Sequence, residues 1–428
     1  MKKRIMAVSL ALALSASMLT ACGSDDDTSA VSSSAETETS ESEDSGIPQE
    51  AYDDVVAYLT DSAISAEDVV YTVNGEDITA AEYFYWISYE AYYYSYNYYA
   101  TYYSYPDLTA ELDDGTTMAD YVLQDAYYYA TMNAAVYAEA LEAGVTLSDE
   151  YQESYDSYIP DSITSLGEDL WDEAVAAGTV SEDEYDEEEK AAWIEEQGTE
   201  SMNQSLLYYG TTRAGLEEMY LHNYYYQQYE NVLLGEGGAY EITEEDIADY
   251  IDEMEVRSCR YILFGDSSAY EDLTDEEKAD YLAQAKACYA ELSSLSGDAL
   301  DEAVSAYTED NPDGNTTGEL VYDSSDTVLE DFETILESLG EGEIGMTVET
   351  EDGYYVIIRD SVTADTEFSN SYTVKEQCIE DAYQELVAQW VAEMEVVDTG
   401  VLDDFSVTDF MVNLDELRDL IDSVENVD

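Results

Sequence analysis

The sequence predicts a mostly α domain, discontinuous in the chain, with an inserted small α+β domain built on an antiparallel sheet. Three observations predict it. From Thr79 to about Met254 the chain is dominated by capped stretches with helical spacing; at Val256 the pattern changes to β-rich runs alternating with shorter helices; and after Asp360 a long helical run, YTVKEQCIEDAYQELVAQWVAEMEV, returns. The expected organisation is 1–22, 23–66, 67–255 together with 365–396, the inserted 256–362, and an acidic tail over 397–428. At 428 residues and 45% apolar composition, the chain is long enough to bury a core in each folded part.

The first 22 residues read as an export signal. Lys2, Lys3 and Arg4 precede an apolar run, Ile5 to Met18, too short to span a bilayer comfortably. The closing Leu19-Thr20-Ala21-Cys22 resembles a bacterial lipobox, which implies cleavage before Cys22 and lipidation of its sulfur. An ordinary secretory signal with an incidental cysteine is the alternative. Gly23 to Ser45 contains only small, polar and acidic residues and cannot bury enough surface to fold, so it reads as an extended tether. A short amphipathic piece, AYDDVVAYLTDSA, follows it.

Val69 to Val73 suits a strand, Asn74-Gly75 a tight turn, and Thr79-Ala80-Ala81-Glu82 a capping box that starts a helix. No proline or glycine interrupts that helix before Pro106, although it contains the tyrosine-rich EAYYYSYNYYATYYSYP. Its tyrosines occupy every face, so some must point outward. Further helices are expected up to Gly144, from Ser148 to Tyr158, from Ser162 to Ala177, through Lys190 to Gln197, on both sides of Gly210, and after the cap at Thr243. His222, the single histidine, reads as a helix-surface residue.

The inserted part reads β-α-α-α-β-β. VRSCRYILF is the first strand and LTDEEKADYLAQAKACYAELSSL a capped helix with Cys288 on its buried stripe; two shorter helices and two strands joined at Asp352-Gly353 follow. In the closing helix Val374, Cys378, Ala382, Leu386 and Trp390 form one stripe, expected to pack on the N-terminal helices. The tail from Asp398 is expected to add a short helix at most.

Charge and composition exclude whole classes of function. Against 102 acidic residues stand 12 lysines and arginines, a formal charge of −90 that repels nucleic acid and anionic lipid and attracts basic or mixed-charge polypeptides. Cys259, Cys288 and Cys378 have no zinc or redox spacing, so no metal and no cofactor is expected.

The arrangement resembles the bacterial extracytoplasmic folding factors of the PrsA and SurA kind, in which a discontinuous helical chaperone domain carries an inserted parvulin-type prolyl isomerase. The residues that carry the resemblance are VNGEDITAAEYFYW, ITEEDIADYIDEMEVRSCRYILF, the AYTED segment ending at Asp310, GEL at Gly318 to Leu320, DFETILESLGEGEIG and VETEDGYYVIIRD. The resemblance implies rotation about X-Pro bonds, which needs no metal or nucleophile but a pocket that holds the proline and favours the twisted amide. It implies Asp310 near the carbonyl of the twisting bond, Leu320, Val328 and Phe332 as the apolar wall, and Tyr261 and Tyr355 at the two positions where the family presents histidine. Phe332 and Leu320 read equally well as plain core residues. With phenols replacing imidazoles the isomerase is expected to be weak or lost. The partners implied are unfolded or nascent secreted polypeptides and, through lipidated Cys22, the outer face of the cell membrane. A solute-binding lipoprotein would instead show alternating β/α units, and an adhesive surface lipoprotein would show repeats.

Overall fold

The computed structural model describes residues 47–102, 108, 115–181, 184–265, 270–309 and 316–425, and side chains except at 99–102, 308–309, 316 and 424–425. The chain divides into two compact units: Leu233–Leu386, and the chain on either side of it. The second unit is thus inserted in the first, as the change of pattern at Val256 implies. It is wider than 256–362: Ile247 of the helix α8 (Glu244–Glu253) is buried with Val256, Val374 and Cys378 in one cluster, so the start of the closing helical stripe packs within this unit and not on the N-terminal helices.

The outer unit opens with two short helices, α1 (Gln49–Asp53) and α2 (Val55–Leu59). The expected tether therefore stops short of 66: Ile47, Ala51, Val55, Val56, Leu59 and Ile64 are all buried in the main core. Four of these, Ala51, Val55, Val56 and Leu59, belong to the AYDDVVAYLTDSA piece, and burying them orders it. Asp54 caps α2 by accepting from the Ala57 N–H at 2.9 Å.

β1 (Val69–Val73) is the expected strand, Asn74 and Gly75 both take positive φ at the expected turn, and a second strand, β2 (Glu76–Thr79), completes a hairpin with it. A third strand, β7 (Val396–Asp398), joins β1 antiparallel with Thr72 opposite Val397, giving the order β2-β1-β7. Three residues are too few for a periodic signal, so this strand is not visible in sequence.

Five long helices follow the hairpin: α3 (Ala80–Tyr102), α4 (Met118–Glu142), α5 (Asp149–Ala177), α6 (Glu187–Tyr208) and α7 (Arg213–Leu234). α5 is continuous through Pro160, where two helices were expected. The proline removes one backbone donor, but both halves are held: Ile159 before it is buried in the main core, and Trp171 after it is buried edge-to-face against Trp193 of α6. The acidic 397–428 segment is no loose tail. It contains α13 (Val407–Glu425), whose Phe410, Leu414, Leu417 and Ile421 recur at helical spacing and are buried with Phe84, Met202 and Leu216.

Thr79 and Glu82 form only half of the expected capping box. The Thr79 hydroxyl accepts from the Glu82 N–H at 3.2 Å, but the Glu82 carboxylate turns inward to Nδ1 of His222, 2.9 Å away. Both side chains are buried, which corrects the surface reading of His222. Burial alone would lower the imidazole pKa; the Glu82 carboxylate, with Glu218 and Glu76 behind it, outweighs that and raises it.

The tyrosine-rich helix divides along its length. Tyr83 and Tyr89 are buried in the core of α3, whereas Tyr92 and Tyr96, one turn apart and stacked, are 42% and 59% exposed. Tyr128 on α4 is 44% exposed.

Candidate active site

In the inserted unit the sheet is built on β3 (Arg257–Gly265), which lies between β4 (Thr316–Tyr322) and β6 (Gly353–Asp360), with β5 (Ile344–Met346) beyond β6. All pairings are antiparallel. β4 is absent from the predicted order, because this edge strand opens with Thr, Gly and Glu and packs only its last three residues, Leu320 and Tyr322 under α11 (Glu330–Ser338) and Val321 on the Val256 cluster. The strands expected to meet at Asp352-Gly353 instead end at Met346 and restart at Gly353, with residues 347–352 as a loop.

Side chains alternate across the sheet, and the alternation positions the site. On one face Ile262, Phe264, Tyr354, Val356 and Ile358 pack with the helices α9 (Asp275–Leu292) and α10 (Asp298–Glu309). Cys288 is buried there, and burial pushes its thiol up to about 12, so it is a core residue as its spacing suggests. On the other face Cys259, Leu263, Tyr355 and Ile357 pack beneath α11 (Glu330–Ser338) through Phe332 and Leu336. Arg260 fastens the central strand, donating to both carboxylate oxygens of Asp360 at 2.8 and 3.0 Å and to Asp301 at 2.8 Å.

Five of the residues chosen from sequence meet on the α11 face. Tyr261, Phe332 and Tyr355 form a closed aromatic triangle of edge-to-face contacts, with ring centroids 5.7, 5.6 and 5.1 Å apart. Phe332 and Tyr355 are its buried corners, and Leu320 and Val328 pack beside them, both partly exposed like Tyr261. The result is an apolar wall with a buried aromatic floor. Asp310 and Cys22 lie outside the described residues.

Several residues that support this wall are not apparent in sequence. Tyr355 donates from its hydroxyl to Oδ2 of Asp352 at 2.6 Å, and burial, followed by that carboxylate, raises its pKa well above the ordinary phenol value. Its backbone is gripped by Thr347: the Tyr355 N–H donates to the threonine hydroxyl at 3.0 Å, and the Thr347 N–H donates to the Tyr355 carbonyl at 2.9 Å. Thr350 shapes the intervening loop, its hydroxyl accepting from the Asp352 and Gly353 N–H groups. Gly318 faces Tyr261 across the β3–β4 ladder, and a Cβ there would stand 2.5 Å from the phenolic oxygen. Only the spacing of Thr350 and Asp352 before the strand hints at this arrangement.

Chemically the site offers an apolar, aromatic surface with a phenol held in one orientation. Such a surface suits a proline ring and the bond that precedes it; the Cys259 thiol on the same face is buried, and burial pushes it up to about 12. Among the described residues no group of acidic, cysteine or histidine side chains is arranged to hold a metal ion.

The inserted unit is thus an antiparallel sheet with helices on both faces and an aromatic wall under α11. Residues 262–361 match the family described as Rotamase, PPIC-type PPIASE domain. No curated protein matches the chain. Among solved structures, PrsA from Bacillus subtilis is similar at 12% identity over 73% of this chain and 91% of that one, with a TM-score of 0.18. Foldase protein PrsA from Streptococcus pneumoniae is 14% identical over 70% and 99%, and the PrsA peptidylprolyl isomerase from Bacillus cereus is 14% identical over 74% and 98%, each with a TM-score of 0.21. Among the described residues no helix is long and apolar enough to cross a membrane.

Proposed function

We propose that this chain is an extracytoplasmic folding factor, anchored through lipid on Cys22, that holds non-native secreted polypeptides and weakly catalyses cis/trans isomerisation of their X-Pro bonds. One observation carries the catalytic part: partly exposed Tyr261, Leu320 and Val328 surround buried Phe332 on one face of a parvulin-type sheet. The barrier to be lowered is about 18–20 kcal/mol, and an apolar wall lowers it by binding the twisted amide more tightly than the planar one. Asp310 is the group proposed to lie near the twisting carbonyl.

The holding part is supported by exposed Tyr92, Tyr96 and Tyr128, which offer large contact areas with a polar tip at low entropy cost. The lipobox-like Leu19–Cys22 segment supports the anchor.

Exchange NMR on a short X-Pro peptide with the chain from residue 23 onward tests the reading. Cis/trans line broadening is expected, and it should vanish in Val328→Asp, which places a charge in the wall. A folded chain that leaves the exchange at its uncatalysed rate would refute the isomerase assignment.

A further inference from the structure

A groove of about 810 Å³ lies in the outer unit, between the Asn74-Gly75 turn, the C-terminal end of α4, the last turn of α12 (Val374–Glu393) and β7. Five glutamates line it, at 76, 139, 142, 393 and 395, and no lysine or arginine does. An apolar strip accompanies them: Leu141 and Val397 are 38% and 52% exposed, and Trp390, stacked on Tyr229, lies between the acidic positions.

β7 lines this groove through Val397, and Glu395 lies just before the strand. In the order β2-β1-β7 the last strand is paired on one side only among the described residues, so its outer edge is open to a further extended chain. Crowding is already visible in the groove, where burial, then Glu142 and Glu393, raise the Glu139 pKa. A cationic occupant relieves that crowding, whereas an acidic or neutral one does not.

We infer that this groove binds an extended polypeptide segment carrying lysine or arginine, laid alongside β7 with its cationic heads on the glutamates and its aliphatic stems on Leu141, Trp390 and Val397. The inference rests on the holding function proposed above and gives it a partner chemistry: mixed basic and apolar stretches of unfolded chains. It also separates holding from isomerisation, since the groove needs no proline and lies in a different compact unit from the aromatic wall.

Fluorescence anisotropy with a labelled, proline-free peptide of alternating lysine and valine tests it on the chain from residue 23 onward. Binding should weaken about tenfold in the double variant Glu139→Gln/Glu393→Gln and with rising salt. It should change less than about twofold in Glu168→Gln/Glu173→Gln, which removes the same charge from the exposed side of α5. Equal loss in the two double variants, or equal binding of a glutamine-for-lysine peptide, would reduce the effect to the diffuse field of the molecule and overturn the proposal. Self-association abolished by the groove variant, without peptide binding, would assign the groove to a second copy and overturn it too. Protection of a denatured client against aggregation is measured in parallel. If peptide binding follows the variants while protection is absent, the holding reading fails and the groove stands; if protection persists while binding ignores the groove, the reverse holds.

Discussion

The Tyr261 ring lies over Gly318, so close that a Cβ at 318 would stand 2.5 Å from the hydroxyl oxygen and 2.6 Å from the carbon that bears it. The two residues are paired across the β3–β4 ladder, and the missing side chain of one is the space for the other. Gly318→Ala should therefore cost about 1–3 kcal/mol by overpacking and displace the ring from Phe332. Tyr261→His removes both of the closest atoms. The cost of the alanine should shrink in that background, and denaturant unfolding of the two single variants and the double variant measures the coupling.

A second expectation concerns pH. Tyr355 is buried and hydrogen-bonded to Asp352, both of which hold its proton on, so it stays a neutral phenol throughout the physiological range. Isomerase rates followed by exchange NMR should be flat from about pH 6 to 9. Tyr355→His should introduce a limb near pH 6.5, where an imidazole titrates.

Glu90, buried on α3, is pushed up to about 8 by burial and then by Asp125. Because its folded pKa is raised, its contribution to stability is fully present below the unfolded value near 4.5 and is lost as pH rises towards 8. Glu90→Gln cannot ionise and should escape that loss. Its advantage over the natural chain should be small at pH 4.5 and reach about 4 kcal/mol at pH 8, read from urea unfolding across that range.

Leu414 on α13 is fully buried against the main core. Leu414→Ala should cost about 2–5 kcal/mol, a core-sized loss that a solvated acidic tail would not show, and thermal unfolding measures it.

What the sequence showed depended on where each apolar pattern was visible. VRSCRYILF was legible as a strand, and with it the insertion, because β3 is central and buried on both faces at its end. α13 was hidden by its own acidity: Asp409, Asp415, Glu416 and Asp419 cover the solvent side of a helix whose inner stripe is Phe410, Leu414, Leu417 and Ile421. The burial of His222 depends on Glu82, a partner 140 positions away that no local pattern announces. In the candidate site, Tyr261, Leu320, Val328, Phe332 and Tyr355 came from family resemblance and are brought together. The supports at Gly318, Thr347 and Asp352 came only from tertiary contacts, since each acts on a residue it meets through the folded ladder or loop.

Refolding of a denatured secreted client whose slow phase is limited by X-Pro isomerisation tests the folding-factor account most directly. With the chain from residue 23 in several-fold excess, the yield of native client should rise and the slow phase should shorten. Tyr92→Ser/Tyr96→Ser/Tyr128→Ser should lower the yield, and Val328→Asp should restore the uncatalysed rate. A folded chain that changes neither yield nor rate would contradict the account.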